Sequence, residues 1–176
     1  GTYFTALEGS LRTPCLIRWP GQIKAGSVSN EIVHTADLFP TIARIVGTKV
    51  PADRIIDGVD QLDFLTGKSQ KSAREGFPVY NGDTLQAYKW RNWKLHFLTQ
   101  KTMRSDIVRP GMPRLYNLLS DPKEQYDLIE KGGRDGEDNF WVMPPISNLV
   151  GRHLQSLKKE PPIPLGTPDP YLPKKK

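Results

Sequence analysis

The stretch Gly1–Gly21 (GTYFTALEGSLRTPCLIRWPG) limits what this chain can fold into more than any other. It sets Glu8-Gly9-Ser10-Leu11-Arg12-Thr13-Pro14 directly before the apolar run Cys15-Leu16-Ile17-Arg18-Trp19, and Pro20-Gly21 ends that run at once. A short, mostly apolar run closed by proline on both sides reads as a buried strand, Pro14 to Trp19. An arginine beside such a strand needs a partner. Glu8, four residues before Arg12, is the expected one, as an ion pair bracing the turn. The other reading of Arg12 is contact with an anion at the edge of a site. Opening in mid-motif without a start methionine, the stretch reads as part of something larger.

Downstream, the pattern is first helical and then extended. Leu38, Phe39, Ile42, Ile45 and Val46 recur at spacings of three and four, which predicts a helix from about Ala36 to Val46 with one apolar face. Thr35 or Asp37 can cap its start, Pro40 falls in its first turn and Gly47 can end it. A second short helix is expected near Asp60–Leu65. Lys68 to Gly76 is a polar connector and the best internal boundary. Beyond it, Phe77–Asn81, Leu85–Trp90, Trp93–Thr99 and Arg114–Leu119 read as strands, with Arg91-Asn92 as a hairpin turn. They make a small antiparallel sheet of about four strands, in which the face occupied by His96 stays open. Asp121-Pro122 turns into Tyr126-Asp127-Leu128, and Ile146–Lys158 can form an amphipathic terminal helix. The domain reading is 1–67, a connector 68–76, an antiparallel unit with its helix at 77–160, and a proline-rich basic tail at 161–176.

Charge and residue counts exclude several function classes. The formal charge is +6, which suggests a polyanion binder, but six Lys/Arg against Glu160 and Asp169 place +4 of it in the last 26 residues. No basic stripe and no aromatic-basic recognition motif accompanies it, which argues against nucleic acid. The single cysteine, Cys15, excludes an internal disulfide and a cysteine-based zinc site. No run approaches the ~20 apolar residues of a membrane span. The three histidines, His34, His96 and His153, lie far apart without the i+3 or i+4 partner of a helical metal pair. There is no phosphate loop, GxSxG, HExxH or calcium-loop motif. The residues alone therefore give a sheet-and-helix layer and no self-sufficient active site.

Taken together, the motifs resemble the sulfatase family. GT-x5-EG-x2-R-x-P running into LIRWPG is similar to the family's KGTTxEGGxRxP segment and the strand ending in WPG after it. VHTADLFPTIARIVG is similar to DLxPTxxxLxG, and DGVDQLDFLTG to DGxDLxPLLxG. WKLHFLTQ and LYNLLSDPKEQYDL, the latter like LYDLxxDPxExxNL, complete five landmarks in family order from about Gly1 to Leu128. The HF-x-TQ strand and the long loop after it point toward arylsulfatases.

The resemblance implies an α/β fold of the alkaline-phosphatase-like kind, of which this chain is the C-terminal part, ending in a four-stranded antiparallel sheet with a terminal helix. It implies sulfate-ester hydrolysis by a formylglycine made within C/S-x-P-x-R, with a calcium ion polarising the sulfate. Cys15 is followed by Leu-Ile-Arg, so it is not that precursor. Catalytic and metal-binding residues are expected in none of these positions but upstream of residue 1, in a missing N-terminal catalytic portion. Here the resemblance implies substrate contacts at His96 and Arg104, and a structural role beside the site for Glu8 and Arg12. Ser10 replaces the family's second glycine. A periplasmic, secreted or lysosomal location is implied. The competing reading is a non-catalytic polyanion-binding or interaction module.

Overall fold

The computed structural model describes residues 3–130 and 137–161. The tail expected at 161–176 lies almost wholly outside them. At the centre is a four-stranded antiparallel sheet in the order β1-β2-β3-β4: β1 Gly76–Asn81, β2 Thr84–Trp90, β3 Trp93–His96 and β4 Arg114–Asn117. Every neighbour in space is a neighbour in sequence; β1–β2 and β2–β3 are joined by tight turns, and β3–β4 by a long loop across residues 97–113. Between β2 and β3 the turn is Arg91-Asn92, with Trp90 paired to Trp93 and Arg91 in the left-handed region at φ 53°. The other tight turn, after β1, uses Gly82 at φ 56°, which glycine adopts without strain.

Alternation along the strands decides what each face holds. Tyr88, Leu95 and Leu115 are cross-strand partners on one face, and Trp90 joins them from the same side of β2. They pack with Val142 and Ile146 into the main core. Val142 ends a short 3-10 turn, Phe140–Val142, and Ile146 belongs to the long helix Met143–Lys159. Two prolines open that helix and Lys158 and Lys159 close it, both favourable placements. The opposite face carries Ala87, Lys89, Lys94, His96 and Tyr116. It is covered too: Ala6 and Leu11 pack on Val79 and Ala87. A sheet covered on both sides buries polar side chains on its second face, so those side chains need partners.

The first part of the chain is less regular. A single turn of helix, α1, spans Glu8–Leu11, and no strand follows it. At Pro14–Trp19, where a strand is expected, the chain has no regular structure and no ladder partner among the described residues; Leu16 is 96% exposed, and Cys15 is exposed instead of buried. A strand needs a neighbour for its backbone groups, and among the described residues none lies alongside. The next helix, α2 at Leu38–Ile45, follows a 3-10 turn at Thr35–Asp37 and ends at Gly47, φ 75°. It turns Thr41 and Ala43 inward and leaves Leu38, Phe39, Ile42, Ile45 and Val46 exposed. A third helix, α3, occupies Leu62–Leu65; the long helix Met143–Lys159 is α4.

Candidate active-site flank

Two buried polar clusters and one surface cleft account for the residues singled out by sequence. The first cluster grows from the second sheet face. Lys94 is 0% exposed, and its Nζ lies 3.0 Å from Glu8 Oε1 and 3.1 Å from Glu124 Oε1. Lys89 Nζ donates to the other Glu8 oxygen at 2.6 Å. His96, 2% exposed, is bonded through Nε2 to Glu124 Oε1 at 2.7 Å, and its ring meets Tyr116 edge-on with centroids 5.4 Å apart. The backbone N–H of Glu8 donates to Glu124 Oε2 at 2.6 Å.

Two carboxylates, Glu8 and Glu124, face the two ammonium groups of Lys89 and Lys94, so each buried carboxylate has a counter-charge within reach. Burial pushes the Glu8 carboxyl up, but Lys94 and Lys89 reverse this and hold it below its ordinary value. Burial acts the same way on Glu124, where His96 and Lys94 outweigh it. Glu124 also adopts φ 56°, a left-handed conformation that costs a non-glycine residue energy and persists only when its surroundings demand it. Here the demand is visible: the conformation delivers one carboxylate to three donors.

Arg12, expected to pair with Glu8, does not. It donates instead to Asn30 Oδ1 at 2.8 Å on the exposed side of the turn. The reason lies in the helical turn at Glu8–Leu11, which directs Glu8 under the sheet, where two lysines compete for it.

The second cluster centres on Asp37, which is fully buried. Its carboxylate accepts from the backbone N–H groups of His34 and Val59, both at 2.9 Å, and from Arg74 Nε and Nη2. Burial raises the Asp37 pKa, and Arg74 with the backbone donors overrides that and lowers it. Gln61 Nε2 adds a weak contact at 3.3 Å, while Gln61 Oε1 accepts from Ser72 Oγ and Ala73 N, both at 3.1 Å. Asp37 precedes α2 but does not cap it with its side chain as expected; His34 Nδ1 accepts from Ala36 N at 3.1 Å, and the Asp37 carboxylate answers to His34 N while tying the 57–61 loop and the 72–74 stretch of the connector to the helix start.

The cleft is formed by Tyr3, Thr102, Met103 and Arg104, with a volume of about 270 Å³. Arg104 is exposed, at the tip of a loop closed by the Thr99–Val108 bridge. Three internal bonds shape the tip: Thr102 N to Ser105 Oγ at 2.9 Å, Ser105 Oγ to Thr102 O at 2.9 Å, and Ser105 N to Thr102 O at 3.1 Å. So Arg104 stands opposite the start of the GTYFTALEG segment, while His96 lies in the buried cluster with almost no surface through which to touch a ligand. Sequence reasoning did not single out Lys94, Glu124, Asn81 or Gln100. Only the alternation of Lys94-Leu95-His96 hinted that a lysine and a histidine share a face.

Among the described residues, no group of three or more His, Cys, Asp or Glu could hold a metal ion. No helix of the described residues is long and apolar enough to cross a membrane.

Residues 4–135 match the family model described as N-sulphoglucosamine sulphohydrolase, C-terminal. The chain belongs to the sulfatases. It is similar to canine (Canis lupus familiaris) N-acetylgalactosamine-6-sulfatase, 42% identical over 90% of this chain and 31% of that protein. It is similar also to human (Homo sapiens) steryl-sulfatase, 30% identical over 88% of this chain and 30% of that one. Among solved structures, PsFucS1 sulfatase from Pseudoalteromonas sp. superposes with a TM-score of 0.72 at 26% identity, covering 83% of this chain and 30% of that one. The chain therefore spans about 30% of the length of the sulfatases it matches, and corresponds to their C-terminal portion.

Proposed function

We propose that this sulfatase chain serves in a sulfuric ester hydrolase, where it completes the fold and supplies one wall of the substrate pocket. The observation that carries this reading is the cleft that sets Arg104 beside Tyr3, at the head of the GTYFTALEG motif. An exposed guanidinium suits a sulfate or another anionic group on the substrate, because its planar fork donates in pairs. His96 contributes from behind, through Glu124, in holding that wall together.

The reaction itself belongs to residues outside this chain. Cys15 lacks the x-Pro-x-Arg sequence that a formylglycine precursor needs, and the described residues offer no calcium site. Calcium, held upstream, would polarise the sulfate and stabilise its charge in the transition state. On this reading the 176 residues alone hydrolyse no aryl sulfate. The exposed apolar row of α2 and the unpaired 14–19 stretch are then surfaces for the N-terminal catalytic portion of the same protein. A periplasmic, secreted or lysosomal location goes with this reading; fractionation of cells expressing the tagged full-length protein measures it.

The test is hydrolysis of nitrocatechol sulfate by the full-length protein, with and without Arg104→Ala. Loss of a charged hydrogen bond worth about 1.5–3 kcal/mol should raise KM roughly tenfold or more and leave kcat within a few-fold. A full-length protein with C/S-x-P-x-R intact and no sulfatase activity on any aryl or sugar sulfate would sink the reading.

A further inference from the structure

One side chain ties together the two segments that carry the cleft's lining residues. Asn81, the last residue of β1, donates through Nδ2 to Phe4 O at 3.0 Å and to Gln100 Oε1 at 3.0 Å. Phe4 follows Tyr3 on one wall. Gln100 leads into the loop that carries Arg104 on the other, and it grips that loop from inside: Gln100 Nε2 donates to Met103 O at 3.3 Å and to Ser105 O at 3.2 Å. The carbonyls of the residues on both sides of Arg104 are thus fixed by one amide, and that amide is fixed by Asn81.

The orientation of these amides is not arbitrary. Phe4 O, Met103 O and Ser105 O can only accept. Gln100 must therefore turn Nε2 toward the loop and Oε1 toward Asn81, and Asn81 must present Nδ2, whose two hydrogens serve the two walls. Gln86 Nε2 donates to the same Gln100 Oε1 at 3.4 Å, which is consistent with this assignment. Reversing Asn81 would set its oxygen against two acceptors. The wall at Phe4 is further constrained by its backbone, left-handed at φ 59°, and by Glu124, which holds Glu8 N at the far end of the same segment. Strain of this sort is retained where surrounding contacts over-determine it.

We propose that Asn81 is a positioning residue that sets the width of the substrate cleft by pinning the Tyr3–Phe4 segment and the Arg104 loop to one amide. It rests on the reading of that cleft as substrate-facing. A substrate whose anionic group meets Arg104 is held at a fixed distance from the Tyr3 side, so Asn81 acts on substrate fit and selectivity rather than on bond cleavage.

The experiment uses the full-length protein and Asn81→Asp, which keeps the shape but replaces the donor with acceptors facing two carbonyl-type oxygens. Asn81→Ser is the milder second variant, should the first fail to fold. Two readouts are taken. Trypsin cleavage after Lys101 and Arg104 in the native protein should speed up at least tenfold, with cleavage after Lys68 and Lys71 unchanged. KM for nitrocatechol sulfate should rise roughly tenfold with kcat within threefold, and preference among aryl sulfates of different size should flatten. Unchanged cleavage after Lys101 and Arg104 in both variants overturns the pin. Faster cleavage with unaltered KM and selectivity in an active enzyme overturns its role in substrate fit. A wild-type protein without sulfatase activity defeats the functional reading instead, and the cleavage arm still decides whether Asn81 pins the loop.

Discussion

Lys94→Met is the perturbation that asks most of the buried cluster. Methionine keeps the length and apolar stem of lysine but removes the ammonium group between Glu8 Oε1 and Glu124 Oε1, 3.0 and 3.1 Å away. Removing one member of a buried ion pair costs about 3–5 kcal/mol, because the remaining charge is left desolvated without its counter-ion. Lys89 still serves Glu8 and His96 still serves Glu124, so the low end, about 3 kcal/mol, applies. The direction with pH follows from the carboxylates. In the wild type both titrate below their ordinary value of 4.5, so their contribution is complete above that pH and is lost as pH falls through the folded values. In Lys94→Met, burial is less opposed and raises them. A folded state that binds protons more readily than the unfolded chain gains stability as pH falls. The mutant should therefore recover stability between pH 7 and 5, a range where the wild type is flat from these two groups.

Native hydrogen exchange of peptides spanning 86–96 in the full-length protein reads this locally. At pH 7 the mutant should exchange roughly a hundredfold faster, after correction for intrinsic rates, with the excess shrinking by pH 5. An excess below threefold at pH 7, or one that grows on acidification, would refute the argument.

Asp37→Asn should destabilise α2 and the 57–61 loop by about 3 kcal/mol, seen as a lower thermal midpoint, since Arg74 loses its buried counter-charge. Gly76→Ala should cost about 1–3 kcal/mol or more and loosen the β1–β2 pairing, because an added Cβ would lie 2.1 Å from Lys89 O; exchange of the β2 amides measures it. His153, hydrogen-bonded to Tyr80 Oη at 2.7 Å, has its pKa lowered by burial. The folded protein resists protonating it, so the contact of α4 with β1 is full above pH 6.5 and weakens as pH falls from there toward the folded value. Exchange in the α4 peptides should rise on acidification through that window in the wild type and not in His153→Gln.

The antiparallel sheet was legible from the chain because its signals are local. Aromatic and β-branched runs separated by Arg91-Asn92 and Asn81-Gly82-Asp83 specify strands and turns without reference to anything distant. The terminal helix was equally plain, and its start at Met143 rather than Ile146 reflects the tolerance of a first turn for proline. The ion pairs were not legible. Glu8 and Arg12 are spaced to meet on one helix, but Glu8 chose Lys94, eighty-six residues away, because only there does burial require a counter-charge. Glu124 reads as an ordinary turn residue in Asp-Pro-Lys-Glu, and its left-handed backbone becomes reasonable only when Glu8 N, Lys94 and His96 are seen around it.

The misplaced strand makes the complementary point. Pro14–Trp19 has the composition of a buried strand, and α2 has the stripe of a helix that packs on a sheet, yet in this structure both present that apolar surface to solvent. Composition records the environment a segment was selected for; a strand is realised only where a neighbour completes its hydrogen bonds. Both mismatches fall in the first third of the chain, while the sheet and α4, which supply one another's partners, agree with their sequence. If the remaining length of a sulfatase covers these surfaces, Cys15 should resist thiol labelling in the native full-length protein and label fully on unfolding. Rapid native labelling at Cys15 would mean that the 14–19 segment is not part of a completed sheet.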